Sequence, residues 1–231
     1  MSGDQQPVIM NNLFSIRKLI RRSLRFLHLP FGSCMLCGQT TATAFCKGCS
    51  GEFLPWVSLG GLIHDDLIDE VHAAYVFAYP LNHAIHALKY QGRIMLAKGF
   101  ADALEPMVKK IDKENPLDLI LGMPLHPRRL RQRGFNQSHE IAIQLAKALG
   151  IPCKTEMCSR QFHLQPQVEL KLHERRHLPG NLFECAADLN GLHVLLVDDV
   201  MTTGTSLARL AKSVRRQGAS RVTACVVARV P

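Results

Sequence analysis

LHVLLVDDVMTTGTS, residues Leu192–Ser206, is the stretch from which the fold follows. His193–Val197 is a short apolar run, the pattern of a strand buried on both faces. It ends in the acid pair Asp198–Asp199, and a turn of hydroxyls around one glycine follows: Thr202, Thr203, Gly204, Thr205 and Ser206. Leu207, Leu210, Ala211 and Val214 then recur with helical spacing, and Gly218 is expected as the C-terminal cap. Strand, acids, Gly/Thr loop and helix make a phosphate-binding corner, where loop amides, hydroxyls and the helix N-terminus donate to a phosphate. No Gly-Lys-Ser/Thr follows, which excludes a nucleoside-triphosphate P-loop, and the single glycine excludes a dinucleotide fingerprint. Paired carboxylates suit two vicinal hydroxyls, so the expected ligand is a pentose carrying a 5′-phosphate.

Upstream, the pattern repeats. Leu117–Met123 is expected as a strand, followed by a loop over Pro124–Gln137 and a helix over Ser138–Leu149 that turns Ile141, Ala142 and Leu145 inward. The loop reads PLHPRRLRQRGFNQ and carries Arg128, Arg129, Arg131 and Arg133, with Gly134 for a tight approach. Arginine forks match phosphate geometry, so this is a second anion-seeking strand–loop–helix unit. Before it come an expected strand at Ala74–Tyr79, a short helix at Leu81–Tyr90 and a long helix burying Leu96, Phe100, Ala103, Leu104, Met107 and Ile111. Between the helices, Lys89 and Arg93 read either as anion contacts or as solvated helix-end cations. Alternating strands and helices give an α/β domain with a central parallel sheet, and both anion loops belong at carboxyl ends of strands, where such sheets bind ligands.

The N-terminal part is built differently. Cys34-Met-Leu-Cys37 and Cys46-Lys-Gly-Cys49 form two knuckles, a ligand set for one closed tetrahedral zinc site. A redox pair or an iron–sulfur site is the alternative. Such a short segment has too little core to fold without metal, so the zinc is read as structural. Of the remaining cysteines, Cys185 and Cys225 are expected as buried thiols, which suits a reducing cytoplasm. Residues 1–33 form an arm. Within it, Leu13–Leu29 is a basic amphipathic helix without an acid, carrying Arg17, Lys18, Arg21, Arg22 and Arg25. It would dock on the protein's own body, on nucleic acid, or on a membrane surface.

VLLVDDVMTTGTS resembles the 13-residue phosphoribosyl-pyrophosphate (PRPP) motif of type I phosphoribosyltransferases. Over roughly residues 34–231 the chain is similar to the ComF (GntX-like) family of competence-associated phosphoribosyltransferase-like proteins. KYQGR at Lys89–Arg93, RGFNQS at Arg133–Ser138, and the pattern Arg160, Gln165, Gln167, Leu170, Arg175, Arg176, Asn181 and Phe183 carry that similarity. The resemblance implies a type I phosphoribosyltransferase-like α/β fold with a central parallel sheet and flanking helices over 66–231, plus a small four-cysteine zinc ribbon over 34–57. It places Asp198 and Asp199 on the ribose hydroxyls as catalytic residues and Thr202–Ser206 on the 5′-phosphate. Lys89, Arg93, Arg128, Arg133, Asn136 and Gln137 would contact the pyrophosphate, with Mg²⁺ accompanying PRPP and a mobile lid over Cys153–Glu184. It also points to Met123–Pro124 as the place for a strained peptide. Met201 and Thr203 stand where many of the enzymes carry glycine, which leaves turnover open.

Three functions are consistent with this. The family role is the handling of imported single-stranded DNA during natural transformation, in the cytoplasm or at the inner membrane, alongside competence-machinery proteins. The others are transfer of phosphoribose from Mg-PRPP to an unidentified base or amine, and non-catalytic sensing of PRPP. The chain has 231 residues, 47% hydrophobic and 20% charged, with a net charge of +9. No apolar stretch approaches the roughly 18 residues a membrane span needs. The positive balance favours polyanionic partners.

Overall fold

The computed structural model describes residues 32–57, 67–161 and 182–231. They fall into two compact units, one ending at Cys46 and the other running Lys47–Pro231. The expected helix at Leu13–Leu29 and the lid residues 162–181 lie outside the described residues. In the first unit a β-bridge joins Ser33 to Thr40, and the Met35 N–H donates to the Ala44 carbonyl at 2.9 Å. Gly38, at φ +77°, closes the turn after Cys37 by donating to the Cys34 carbonyl.

The second unit runs α1 (Lys47–Gly51), β1 (Glu70–Val76), α2 (Leu81–Gln91), α3 (Leu96–Glu114), β2 (Leu119–Gly122), α4 (Pro127–Arg133) and α5 (Gln137–Leu149). It continues with β3 (Cys158–Arg160), β4 (Phe183–Cys185), β5 (His193–Met201), α6 (Thr205–Arg216) and β6 (Arg221–Arg229). The expected parallel sheet is present, with strand order β1-β6-β5-β2. Central strands β5 and β6 are apolar on both faces and buried almost throughout, as a sheet covered on both sides requires. Edge strand β1 buries only Ala73 fully. Residues just after α1 cover the open side of β1: the Val76 N–H donates to Leu54 O and the Trp56 N–H to Ala74 O.

On one face, Val194 and Leu196 of β5 and Val222 and Ala224 of β6 meet Leu207, Leu210, Ala211 and Val214 of α6 in a single core. Burying Leu207 and Leu210 completely stabilises the unit by about 1.5–3 kcal/mol each. Helix α5 packs on β2 and β5, and α3 packs on α5. The stripe of α3 differs from expectation. Ala103 and Met107 are only half-buried, while Ala97, Ala101 and Val108 join Leu96, Phe100, Leu104 and Ile111 inside.

Several boundaries need correction. Strand β5 is nine residues long and runs through both acids to Met201, so the turn begins later than the apolar run suggested. Half of the expected arginine loop is helix α4, because Pro127 sits in its first turn, His126 Nδ1 accepts from the Arg128 N–H at 3.1 Å, and Gly134 caps its end at φ +86°. Helix α6 is capped by Gln217, and Gly218 is the left-handed residue after it. Among the described residues the cis peptide bond is Tyr79–Pro80, not Met123–Pro124. Finally, Cys185 is not a free thiol. It pairs with Cys158 across the β3–β4 ladder in a disulfide that ties the two strands of that small antiparallel sheet together, whereas Cys225 is free and buried as expected. No helix among the described residues is long and apolar enough to cross a membrane.

Candidate functional site

Strand β5 remains paired with β6 through Asp198 and beyond, so both acids are carried on its carboxyl end rather than on a loop. Asp198 Oδ1 accepts from the Ser138 hydroxyl at 2.8 Å and from the Asp199 N–H at 2.9 Å. Asp199 is buried, and its Oδ2 lies 3.0 Å from the Lys89 ammonium of α2. Lys89 approaches outside hydrogen-bonding angles, so Oδ2 stays unsatisfied by hydrogen bonds and the pair is held by charge alone. Burial, and then the neighbouring Asp199 charge, push Asp198 up to about 7, against the pull of the Ser138 hydroxyl, Lys89 and the Asp199 amide. The corner therefore holds a buried carboxylate paired with a cation beside a second carboxylate that titrates near neutrality.

Beyond Met201 the chain turns at Gly204, whose φ of +75° only glycine adopts readily, and enters α6. The N-cap residue Gly204 brings no side chain to cap α6, and the Thr205 N–H donates only a long 3.5 Å bond to the Thr203 hydroxyl; Thr202, Thr203 and Thr205 are all exposed. The Thr203 and Thr205 hydroxyls lie 2.9 Å apart. Ser206 is half-buried on the first turn. Uncapped amides, hydroxyls and the positive end of a helix dipole suit a phosphate.

Helix α5 is delivered to the same corner by Asn136. Its Oδ1 accepts from the Ser138 and His139 N–H groups, and its Nδ2 donates to the Met123 carbonyl at 2.9 Å. Asn136 is thus occupied as a buried cap, and Gln137 accepts from the Arg133 guanidinium, so these two expected anion contacts are committed within the protein. Gly122, at the end of β2, lets the helix in: a Cβ there would lie 2.7 Å from Ser138 O and 2.8 Å from His139 Cα. Half-buried His139 is held down to about 4 by desolvation, so it adds no charge at neutral pH.

The cations divide into two groups. Lys89 and half-buried Arg133 come to the acids, and Arg133 also sits over the Tyr90 ring at 5.2 Å. Arg93, just after α2, and Arg128, in the first turn of α4, are exposed. Arg160 on β3, 5.7 Å over the Phe183 ring, is a further half-buried cation in the field of Asp198, Arg129 and Arg209. Ser138, Gly122, Tyr90 and Arg160 are the participants that the sequence assigned no place in the site. Ser138 ends the quoted RGFNQS segment but announces no role by its type.

The four N-terminal cysteines are brought together as expected, their sulfurs all within 4.8 Å of one another. Burial alone would raise the Cys34 thiol, but the backbone amides of Cys37, Cys46 and Leu36 outweigh it and hold the thiol at about 6. Four converging sulfurs, one of them a ready thiolate, fit a metal ion such as zinc.

Residues 133–231 match the phosphoribosyl transferase domain family. The chain is 34% identical over 146 residues to the DNA utilization protein YhgH of Salmonella typhi, an alignment covering 62% of this chain and 64% of that protein. It thus spans slightly less than two thirds of that relative's length. It is 28% identical over 223 residues to competence protein F of Haemophilus influenzae, covering 92% of this chain and 96% of the other. With competence protein ComFC of Bacillus subtilis it shares 25% identity over 192 residues, 80% of this chain and 72% of that one.

Proposed function

Since the chain belongs to the ComF family of phosphoribosyltransferase-like proteins, we propose that it acts in DNA uptake, handling incoming single-stranded DNA through a domain that binds PRPP or a similar phosphorylated ribose. One observation carries the ligand: a carboxylate pair at the end of β5 continues directly into an uncapped Thr/Gly helix start. A ribose would donate its two vicinal hydroxyls to Asp198 and Asp199, and its 5′-phosphate would take the amides and hydroxyls of Thr202–Ser206. Lys89, paired with Asp199, would turn to the incoming pyrophosphate, joined by Arg133 and by exposed Arg93 and Arg128. Asn136 and Gln137 shape that loop rather than touch the ligand. The carboxylates and phosphate oxygens form an all-oxygen donor set that suits Mg²⁺, which when bound would offset the pyrophosphate charge. Zinc on Cys34, Cys37, Cys46 and Cys49 would be structural, since four thiolates leave no open coordination position.

Calorimetric titration of Mg-PRPP into the wild type and into Asp198→Asn/Asp199→Asn tests the ligand. Binding by the wild type and loss of at least about 1.5–3 kcal/mol in the variant are expected. Equal affinity would refute the corner. Transfer would break the bond from ribose C1 to pyrophosphate and form one to an acceptor nitrogen, so pyrophosphate release over a panel of bases separates turnover from binding alone.

A further inference from the structure

Helix α2 presents an outer face that the phosphate corner does not use. His83, His86 and Tyr90 recur at spacings of three and four residues, so their three rings share one side of the helix, and Tyr79, just before its N-cap Pro80, brings a fourth ring against His83. The opposite side is core: Leu81, Ala84, Ile85 and Leu88 are buried. All four rings are exposed, Tyr79 at 73% and Tyr90 at 67%. A soluble helix normally covers such a face with flexible charged side chains. The rings instead form two pairs, Tyr79 edge-on to His83 at 5.3 Å and His86 tilted against Tyr90 at 4.7 Å. Edge-on and tilted pairs leave ring faces open to solvent. The three rings on the helix span roughly 10 Å along its axis, with Tyr79 beyond its start. The row ends where the Arg133 guanidinium lies over Tyr90 and where the next residue back, Lys89, reaches Asp199. Helix α2 contains no acid that would repel a phosphate.

We propose that this row is a base-stacking platform for single-stranded DNA, with bases lying on the rings and the sugar-phosphate chain running towards Arg133. Stacking on rings beside a basic track holds a strand without reading its sequence, because every base has a π-face. This rests on the DNA-handling role proposed above and adds to it the surface on which the strand lies. It also supplies the aromatic contacts that the arginine stretch lacks, since Phe135, its one aromatic, is buried.

The test is fluorescence anisotropy with an oligothymidine and with an abasic oligomer of equal length and charge. The proteins are the wild type, the Tyr79→Ala/His83→Ala/His86→Ala variant and Tyr79→Phe. The wild type should bind the oligothymidine at least fivefold more tightly than the abasic strand. The triple variant should lose most of that preference, its affinity for the oligothymidine falling about fivefold or more, towards that of the abasic strand. It should keep its affinity for the abasic strand, its salt dependence and its PRPP titration, and Tyr79→Phe should bind like the wild type. Equal wild-type affinity for both strands, a contrast that needs no variant, overturns the platform and leaves DNA handling by charge alone standing. So does a triple variant that binds the oligothymidine normally. A marked preference for oligouridine makes the occupant something other than DNA. No binding of any strand by the wild type overturns both the platform and the DNA role, while the PRPP titration continues to report on the corner independently.

Discussion

Replacing Gly122 with alanine puts a carbon where the backbone of α5 already is. The new Cβ would stand 2.7 Å from Ser138 O, 2.8 Å from His139 Cα and 2.7 Å from His139 Cδ2, whereas ordinary contact begins at 3.4 Å. The shortfall is about 0.6–0.7 Å, and two of the three atoms belong to the main chain, so a rotamer change does not relieve it. The first turn of α5 must therefore move bodily. Overpacking of this kind destabilises by about 1–3 kcal/mol. At roughly 2–4 °C per kcal/mol for a chain of this size, the melting temperature should fall by about 2–12 °C. The same displacement stretches the 2.8 Å bond from Ser138 to Asp198, so PRPP affinity should fall with stability. Denaturant unfolding followed by circular dichroism measures the first effect and calorimetry the second. Gly51→Ala is the control, because nothing lies within 4 Å of its added carbon and the site is helical; it should be neutral or mildly stabilising. A Gly122→Ala protein with an unchanged midpoint and unchanged affinity would refute the claim that close approach at this glycine positions the corner.

Metal analysis of the purified protein should give one zinc per chain, reduced sharply in Cys37→Ser; unchanged content would remove the four-cysteine assignment. Thiol titration of the denatured, metal-free chain without reductant should count six free cysteines, rising to eight after reduction. Cys158→Ser should lower stability by about 3.5 kcal/mol, given a separation of 27 residues, and eight thiols from the start would disprove the bridge. The Asp198 carboxyl, raised from 3.8 to about 7, binds its proton more tightly folded than unfolded. Its stabilising contribution is complete below pH 3.8 and lost as pH rises through about 7. Ligand-free protein should accordingly lose stability between about pH 4 and 7 relative to Asp198→Asn, and parallel pH profiles for the two would contradict it.

What the sequence could reveal depended on which interactions are local. The buried run of β5, the stripe of α6 and the paired Cys knuckles are legible because strand period, helix period and ligand spacing all act within a few residues. The extension of β5 through its acids is not, because it depends on pairing with β6 and not on hydrophobicity. The arginine stretch looked like a loop by charge, yet Pro127, His126 and Gly134 supply a start and a stop for α4. Asn136 and Gln137 looked like ligand contacts by type, but their partners, Met123 and Arg133, are fixed only by the folded turn. Cys158 and Cys185 are brought together by a β3–β4 register that nothing near either cysteine announces. The ring row on α2 was hidden because two of its members are histidines, which read singly as ordinary surface residues.

The place of β1 in the sheet sets a timetable for synthesis. Its sheet partner is β6, and the Asp69 carboxylate just before it receives the Val222 N–H from 153 residues further on. At about 5–20 residues per second, β1 waits roughly 8–30 s for that partner to be made. During that interval β1, with Ala73 destined for the core, has no strand to pair with. The β2–β5 pair is complete earlier, as soon as β5 has emerged. The nascent chain therefore carries β1 as an unpaired strand. A chaperone that holds extended apolar segments has its natural opportunity there, before the final strand closes the sheet.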